Sequence, residues 1–96
     1  MIEERYLLQN GQAAWRIYDG EAVIVSPEDS TLHTLNEVGT LVWEAADGRT
    51  AFGDIVARIC ARYDVEARAA ARDLEAFVEQ LRERGLITVL AAPAGE

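Results

Sequence analysis

Residues with chemically reactive side chains are few in this chain and stand far apart. His33 is the only histidine and Cys60 the only cysteine. A metal site or a general acid needs further ligands or an orienting partner, and His33 has no second histidine, cysteine or pair of carboxylates nearby in the sequence. Cys60 falls on the apolar side of a predicted helix, where a thiol usually packs as a small hydrophobic group. The sequence therefore predicts no catalytic residue, no metal site and no cofactor.

Sequence motifs for the common chemistries are also absent. The chain has no G-x-x-x-x-G-K-[ST], G-x-G-x-x-G, H-E-x-x-H or C-x-x-C, which removes the usual phosphate, dinucleotide and zinc sites. Two pairs of acids, Asp19 with Glu21 and Glu28 with Asp29, flank turns, where solvated carboxylates are the expected interpretation. An enzyme would need an arrangement of ordinary residues that only the fold brings together, and nothing in the sequence indicates one.

The charge of the chain limits its partners. Its 96 residues include seventeen acids, nine arginines and no lysine, for a net charge of −8. Residues 1–47 hold nine of the acids and only two of the arginines. Phosphate backbones are bound largely through lysine and arginine, so we expect no nucleic-acid partner. A partner with positive charge or with no charge fits better.

The chain also lacks the features of a membrane or secreted protein. No apolar run approaches the roughly 18 to 20 residues of a membrane-spanning helix, and the start of the chain has no cationic segment followed by an apolar stretch. A single cysteine cannot form an internal disulfide, which fits a reducing compartment. We expect a cytoplasmic protein without membrane contact, folded as a single domain over residues 1–96.

A β-hairpin is the clearest local signal. Asp19 and Gly20 stand between two stretches rich in Trp, Ile, Tyr and Val, and an Asp-Gly pair in that setting favours a tight hairpin turn. We expect its strands at residues 14–18 and 22–26. The first dozen residues show no clear period and are expected to form an arm that packs on the domain.

A third strand is expected over residues 31–35, after a turn rich in Pro, Asp and Ser. Leu32 and Leu35 are expected to share one face of this strand, and His33 to take the other. Near the other end of the chain, residues 86–90 fit either a short strand or a packed tail.

Three helices are expected after these strands. Asn36 is a good N-cap for the first helix, which is predicted to end at residues 47–48. Gly39 inside it would allow another backbone or a large ring to approach closely. Thr50 is expected to cap the second helix, and the third runs over about residues 66–84.

The third helix carries charges of both signs. Its arginines are interleaved with acids at i+3 and i+4 spacings, which indicates a solvated face rather than a basic stripe. Examples of such pairs are Arg72 with Glu75 and Glu79 with Arg82. Arg68 and Arg72, one turn apart, remain candidates for contact with an acidic partner group.

A further set of residues forms a recognisable pattern by its order and spacing. Its members are Leu35-Asn36-Glu37, Gly39, Trp43, Asp47-Gly48, Thr50, Tyr63-Asp64, Asp73-Leu74, Phe77-Val78, Leu81 and Gly85-Leu86. With the first hairpin, the pattern covers about residues 13–88. The chain in this range resembles the PqqD-like family, small peptide-binding proteins named after protein D of pyrroloquinoline quinone (PQQ) synthesis.

The resemblance implies an α+β fold of the winged helix-turn-helix kind, with a three-stranded antiparallel sheet followed by three helices. It also implies a non-catalytic function. Proteins of this family bind the leader of a ribosomally synthesised precursor peptide, which adds as an extra strand to the third strand and lies against the third helix. A partner enzyme, such as a radical SAM protein, a protease or a cyclase, then modifies the precursor.

The resemblance points to a binding site at the free edge of the third strand and in the cleft beside the third helix. The expected peptide-binding residues are Thr31, Leu32, His33, Thr34, Leu35, Arg72, Asp73, Leu74, Phe77 and Leu81. The three apolar helix residues in this set could equally belong to the core. Because unpaired backbone groups of an edge strand can pair with an extended peptide, His33→Pro is expected to weaken binding by deleting an edge donor.

Two questions stay open at this stage. The same architecture serves winged-helix transcription factors, so a DNA-binding regulator is the alternative function, although the negative charge and the mixed third helix favour peptide binding. The sequence also leaves open which precursor and pathway are served, PQQ synthesis, a lasso peptide or another. A homodimer through an unoccupied edge strand is possible as well.

Overall fold

The computed structural model describes residues 4–95 of the chain and has six strands and three helices in that range. In chain order the elements are β1 (Tyr6–Gln9), β2 (Ala14–Tyr18), β3 (Glu21–Val25), β4 (Leu32–Thr34), α1 (Glu37–Ala45), β5 (Asp47–Ala51), α2 (Phe52–Arg62), α3 (Ala67–Glu83) and β6 (Ile87–Leu90). The predicted α+β class is confirmed. The expected single domain includes residues 1–3 and 96, which lie outside the described range, and stays a prediction.

The strands form two three-stranded antiparallel sheets. One has the order β2-β3-β4 and precedes the helices in the chain, which confirms the predicted sheet followed by three helices. The other has the order β5-β1-β6 and is not predicted by the sequence. Its strands have only four or five residues each and come from distant parts of the chain, so no local period indicates that they pair.

The predicted hairpin is present between β2 and β3. Asp19 and Gly20 both have positive φ, at 56° and 82°, as the two central residues of a type I′ turn require. The strands pair in register from Tyr18 with Glu21 at the turn onwards. A type I′ turn matches the right-handed twist of its two strands. The structure therefore confirms the hairpin that the Asp-Gly pair predicts.

The N-terminal arm packs on the domain as expected, and it does so as a strand. β1 lies at the centre of the second sheet, and its Leu7 is fully buried. Next to β1, Arg5 donates two hydrogen bonds to the Glu75 carboxylate, at 3.0 and 2.6 Å, and lies 4.1 Å from the centre of the Phe52 ring. The hydrogen bonds from Arg5 lower the pKa of Glu75. The expected pair of Glu75 with Arg72 is therefore wrong.

The link between α1 and α2 also differs from the expectation. The first helix ends at Ala45, and the next residues form β5. Thr50 lies in that strand and does not cap α2; its hydroxyl bonds to the Asp47 carboxylate at 3.2 Å. The same carboxylate accepts the N–H groups of Arg49 and Thr50 at 2.8 and 2.9 Å. Burial alone would raise the pKa of Asp47, but these bonds lower it overall.

The other helix boundaries follow the sequence closely. Asn36 caps α1, because its Oδ1 accepts the N–H of Gly39 at 2.8 Å. The third helix lies within one residue of each expected end, and Gly85 follows it with a φ of 72°. Residues 87–90 form β6, so the tail is a strand. No helix in residues 4–95 is both long and apolar enough to cross a membrane.

Both sheets and the three helices contribute to one hydrophobic core. Its largest fully buried side chains are Trp43, Leu7, Ile24, Ile55, Leu81, Leu86 and Val42. The Trp43 ring meets Trp15 of β2 edge to face, with 5.9 Å between the ring centres, an arrangement that aromatic rings favour. The first sheet is thereby fixed to α1, and this places β4 at a defined position relative to the helices.

Candidate functional site

β4 is an edge strand of the first sheet. It pairs with β3 on one side, and no strand in residues 4–95 pairs with its other side. The register with β3 joins Thr34 to Val23, His33 to Ile24 and Leu32 to Val25. An edge strand of this kind keeps a row of backbone donors and acceptors available for another extended chain.

Hydrogen bonds at both ends of β4 fix the direction of its backbone groups. At one end, the Leu35 N–H donates to the Ala22 carbonyl at 2.9 Å. At the other, the Ser26 N–H donates to the Thr31 carbonyl at 2.8 Å. Residue pairs along an antiparallel ladder alternate between bonded and non-bonded pairs. His33 lies midway between these two bonds, so its backbone groups are the ones that bond to β3.

The open edge of β4 is therefore formed by Leu32 and Thr34. Both belong to non-bonded pairs, and their N–H and C=O groups point away from β3. The expectation that proline at His33 would delete an edge donor is wrong, because the His33 N–H points into the sheet. The edge donors are the N–H groups of Leu32 and Thr34.

The side chains of β4 also differ from the expectation. His33 is paired with Ile24, which is fully buried, and directly paired residues share a face of the sheet. His33 is therefore on the core-facing side. Leu32 is 63% exposed, whereas Leu35 is buried, so the expectation that the two leucines share a face is wrong. Residues three apart in a strand point to opposite faces.

A cleft with a volume of about 530 Å³ lies beside the end of β4. Its walls come from the chain between β4 and α1, from α1 itself, from the end of α2 and from α3. The lining residues are Thr34, Leu35, Asn36, Val38, Gly39, Val42, Ile59, Tyr63, Val65, Ala70, Asp73, Leu74, Phe77, Gln80 and Arg84. The cleft thus adjoins the open edge at Thr34.

The cleft follows α3 for most of the length of that helix. Its lining on α3 extends from Ala70 to Arg84, which is about 21 Å at 1.5 Å per residue. An extended chain advances about 3.3 Å per residue, so roughly six residues would span this distance. The lining is mostly apolar, and its only ionisable carboxylate and guanidinium are those of Asp73 and Arg84. Such a shape fits an elongated ligand with apolar side chains.

Phe77 of α3 packs over Gly39 of α1 at the wall of the cleft. A Cβ added to Gly39 would lie 3.1 Å from Cζ of Phe77 and 3.2 Å from Cβ of Leu35. Contacts this short force a neighbour to move, so the absence of a side chain at Gly39 permits the observed packing. The expected close approach of a large ring to Gly39 is confirmed.

Tyr63 connects the end of α2 to the start of α1 next to the cleft. Its hydroxyl donates to Oε1 of Glu37 at 3.0 Å. Burial and this hydrogen bond raise the pKa of Tyr63 above its ordinary value. The raised pKa means that the phenol keeps its proton, and with it the bond between α1 and α2, to a higher pH than an ordinary tyrosine would.

The structure divides the ten expected site residues into groups. Thr34, Leu35, Asp73, Leu74 and Phe77 line the cleft. Thr31, Leu32 and His33 lie in or just before β4, outside the cleft lining. Arg72 is exposed on α3 and Leu81 is 1% exposed in the core; neither lines the cleft.

Several lining residues are missing from the expected set. Gln80 and Arg84 follow Asp73 and Phe77 along one face of α3, at steps of four, three and four residues. This helical series is a signal that the sequence contains, because residues three or four apart are neighbours on a helix. Val38 and Tyr63 come from other helices, and no local pattern connects them to α3.

The arrangement suits the binding of an extended chain. Among residues 4–95, no group of three or more His, Cys, Asp and Glu side chains could hold a metal ion. Cys60 is half-buried on α2 and does not line the cleft. What the site offers is a row of open backbone groups beside an apolar cleft.

An edge strand that opens onto a helix-walled cleft defines the class of small domains that bind an extended peptide by strand addition. Comparison with known families identifies one family within that class. The model of the family described as coenzyme PQQ synthesis protein D (PqqD) matches residues 21–87. The chain belongs to this family.

Two solved structures share the fold. One, described as "TbiB1 in Complex with the TbiA(beta) Leader Peptide", has a TM-score of 0.78 and 26% sequence identity, and the match covers 83% of this chain and 93% of TbiB1. The other, "Lasso peptide synthetase B1 complexed with the leader peptide", has a TM-score of 0.74 at 23% identity and covers 85% and 96% of the two chains. A search of curated proteins gave no match.

Proposed function

We propose that this chain is a non-catalytic adaptor that binds the leader of a ribosomally synthesised precursor peptide. The leader would add as a strand to β4, pairing with the open groups of Leu32 and Thr34, and its side chains would enter the cleft against α3. The observation that carries this proposal is the open edge of β4 directly beside a long apolar cleft.

The comparisons support the same function. The structure of TbiB1, which is 26% identical to this chain, contains a leader peptide. Membership of the PqqD family supports peptide binding rather than DNA binding. A strand that adds to β4 gains backbone hydrogen bonds without any side-chain requirement, so the specificity has to come from the cleft. The site that we propose comprises the backbone of residues 31–35 with Asp73, Leu74 and Phe77, extended by Gln80 and Arg84.

Two of the residues expected from the sequence have a smaller part in this proposal. Leu81 stabilises α3 from inside the core. Arg72 lies outside the cleft lining and is proposed to contact only those parts of a leader that extend beyond it. His33 stays in the site through its position between the two open residues, with its backbone bonded to β3.

The bound leader would keep the rest of the precursor near a modifying enzyme in the cytoplasm. A radical SAM protein, a protease or a cyclase is the kind of enzyme that fits this role. The adaptor would bring the reacting segment to the enzyme at a high effective concentration. The precursor and the pathway, whether PQQ synthesis, a lasso peptide or another, are to be identified from peptides that bind this chain.

A second copy of this chain is the other partner that the sequence suggests, which would give a homodimer. The first sheet has a second edge, at β2, whose five residues are all exposed. Two copies that pair through β2 would leave β4 free for the leader, whereas pairing through β4 would compete with it. A net charge of −8 on each copy opposes both arrangements. Sedimentation with and without a bound peptide distinguishes these cases, because only a β4 dimer dissociates when the peptide is added.

The test of the proposal compares peptide with duplex DNA. A displayed library of random peptides is selected on the immobilised chain, and individual selected peptides are then titrated in solution. We expect saturable binding of selected peptides and no electrophoretic shift of duplex DNA at low salt. Tight duplex binding that falls steeply with salt would support the winged-helix regulator instead.

Gly39→Ala is expected to weaken peptide binding several-fold. The new methyl group forces the Phe77 ring to move, and the cleft is the open side into which it can go. Alanine also favours a helix by about 0.5 to 1 kcal/mol over glycine, so the free energy of unfolding should change little. Titration and urea unfolding measure the two quantities.

The matched control is Gly53→Ala in α2. An added Cβ at Gly53 meets nothing within 4 Å, and the residue does not line the cleft. This variant should bind selected peptides like the unchanged chain. Equal affinities for the Gly39→Ala variant and the control would show that the Phe77 wall does not contact the peptide.

A further inference from the structure

We infer that the cleft selects peptides with a charge pattern in which a basic residue faces Asp73, an acidic residue faces Arg84, and an apolar residue lies between them. This inference rests on the proposed function, because it specifies the peptide that would bind there. It concerns the chemistry of the ligand and is independent of which precursor supplies it.

The two charges of the cleft are unpaired within the described chain. Among residues 4–95, the side chains of Asp73 and Arg84 have no hydrogen bond or ion pair. Of the other charges on α3, Glu75 is paired with Arg5 and Glu79 with Arg82. Those without a pair among residues 4–95, Arg68, Arg72 and Glu83, do not line the cleft. Both Asp73 and Arg84 are exposed to solvent at the cleft, so complementary charges of a ligand in the cleft can pair with them.

Helix stability explains only one of these charges. Arg84 is the C-cap residue of α3, where a positive charge interacts favourably with the helix dipole. Asp73 is the seventh residue of the helix, which begins at Ala67, and the dipole effect falls off within the first turn. Asp73 is exposed to solvent, and neither the dipole nor an ion pair within residues 4–95 engages it, so its carboxylate is available to a ligand.

The spacing of the two charges sets the length of the pattern. Asp73 and Arg84 are eleven residues apart on α3, which corresponds to about 16 Å along the helix axis. An extended peptide covers this distance in about four to six residues. Side chains of a strand alternate between its faces, so the two charges and the apolar residue between them occupy alternate positions on one face of the peptide.

The middle of the pattern is apolar because the middle of the cleft wall is apolar. Leu74 and Phe77 lie between the two charges, and Val38 of α1 lines the same cleft. An apolar side chain that becomes buried there gains roughly 25 cal/mol per Å² of surface removed from water. The two charges would then fix the register and the direction of a peptide whose backbone pairing alone does not specify either.

Charge reversal tests this inference with the same peptide library. The double variant Asp73→Arg with Arg84→Asp exchanges the two charges and keeps the net charge of the chain. Peptides selected on the unchanged chain should carry the two charges in a fixed order, and the double variant should select the opposite order. The affinity of a peptide selected on the unchanged chain should fall at least about tenfold on the double variant, and by less at high salt.

The control variant exchanges two charges outside the cleft. Glu79→Arg with Arg82→Glu exchanges the charges of an exposed ion pair on α3 whose residues do not line it. This variant should select the same charge order as the unchanged chain. If the control variant also selected peptides with the opposite charge order, the cause would be a general effect of the charge on α3. That result would overturn the inference.

The remaining outcomes separate this inference from the proposed function. Selected peptides that protect the Leu32 and Thr34 amides but show no preferred charges would overturn the charge pattern and leave the adaptor function intact. A library that gives no peptide bound at β4 would overturn both. A selected charge order that stays the same in the double variant would show that Asp73 and Arg84 are not the contacts.

Discussion

Thr34→Pro should reduce the affinity for a selected peptide by at least about tenfold and leave the chain folded. Proline has no N–H, so the variant loses one of the two donors at the open edge of β4. A net hydrogen bond contributes about 0.5 to 1.5 kcal/mol, and the proline ring also obstructs the incoming strand. Because the Thr34 N–H makes no bond to β3, the free energy of unfolding should change by less than about 1 kcal/mol.

His33→Pro is the matched control for this prediction. The His33 N–H belongs to a bonded pair with Ile24 in the interior of the sheet. Its loss should destabilise the fold by about 1 to 3 kcal/mol, because a buried carbonyl of Ile24 is left without a donor. Titration and urea unfolding of both variants are the measurements. Unchanged affinity in a folded Thr34→Pro variant would show that the peptide does not pair with β4.

Alanine substitutions at Leu81 and at Phe77 should have opposite effects on stability and on peptide binding. Both were candidates for the cleft wall, yet Leu81 is 1% exposed in the core and only Phe77 lines the cleft. Leu81→Ala should lower the free energy of unfolding by about 2 to 5 kcal/mol, the usual cost of removing a buried leucine side chain. The folded fraction of this variant should bind the peptide with nearly unchanged affinity.

Phe77→Ala should reduce the affinity for the peptide strongly and the free energy of unfolding only a little. The ring is half-buried, so its removal should cost stability of only about 1 to 2 kcal/mol, but it removes much of the apolar wall that a ligand side chain contacts. We expect an affinity loss of at least about tenfold. Affinities are measured under conditions where both variants are more than half folded by circular dichroism. Equal affinity losses in the two variants would contradict the assignment of the cleft.

The sequence predicts those parts of the fold that are specified locally. The Asp19-Gly20 turn, the Asn36 cap and the end of α3 before Gly85 each depend on a few neighbouring residues, and each is present in the structure. In these places the backbone preference of one residue, or one hydrogen bond, determines the local geometry. A pattern read along the chain therefore contains the necessary information.

The second sheet depends on contacts that no local pattern contains. β1 pairs with β5 and β6, which are about 40 and 80 residues away in the chain. The local sequence predicts that Thr50 caps a helix, but its hydroxyl bonds to Asp47 instead. Long-range strand pairing overrides the local preference of such short segments.

The candidate site can be predicted from the sequence in outline only. The choice of β4 and α3 rests on the resemblance to a family, and the structure places residues of both beside one cleft. The direction of the β4 backbone groups could not be predicted, because it depends on the register with β3. A shift of one residue in that register would exchange the roles of His33 and Thr34.

Amide hydrogen exchange of β4 tests the central claim most directly. In the free chain, the Leu32 and Thr34 amides should exchange faster than the His33 amide, because only His33 is bonded to β3. A saturating selected peptide should slow exchange at Leu32 and Thr34 and leave His33 nearly unchanged. Protection that appeared at the β2 edge, with Leu32 and Thr34 still exchanging freely, would contradict strand addition at β4.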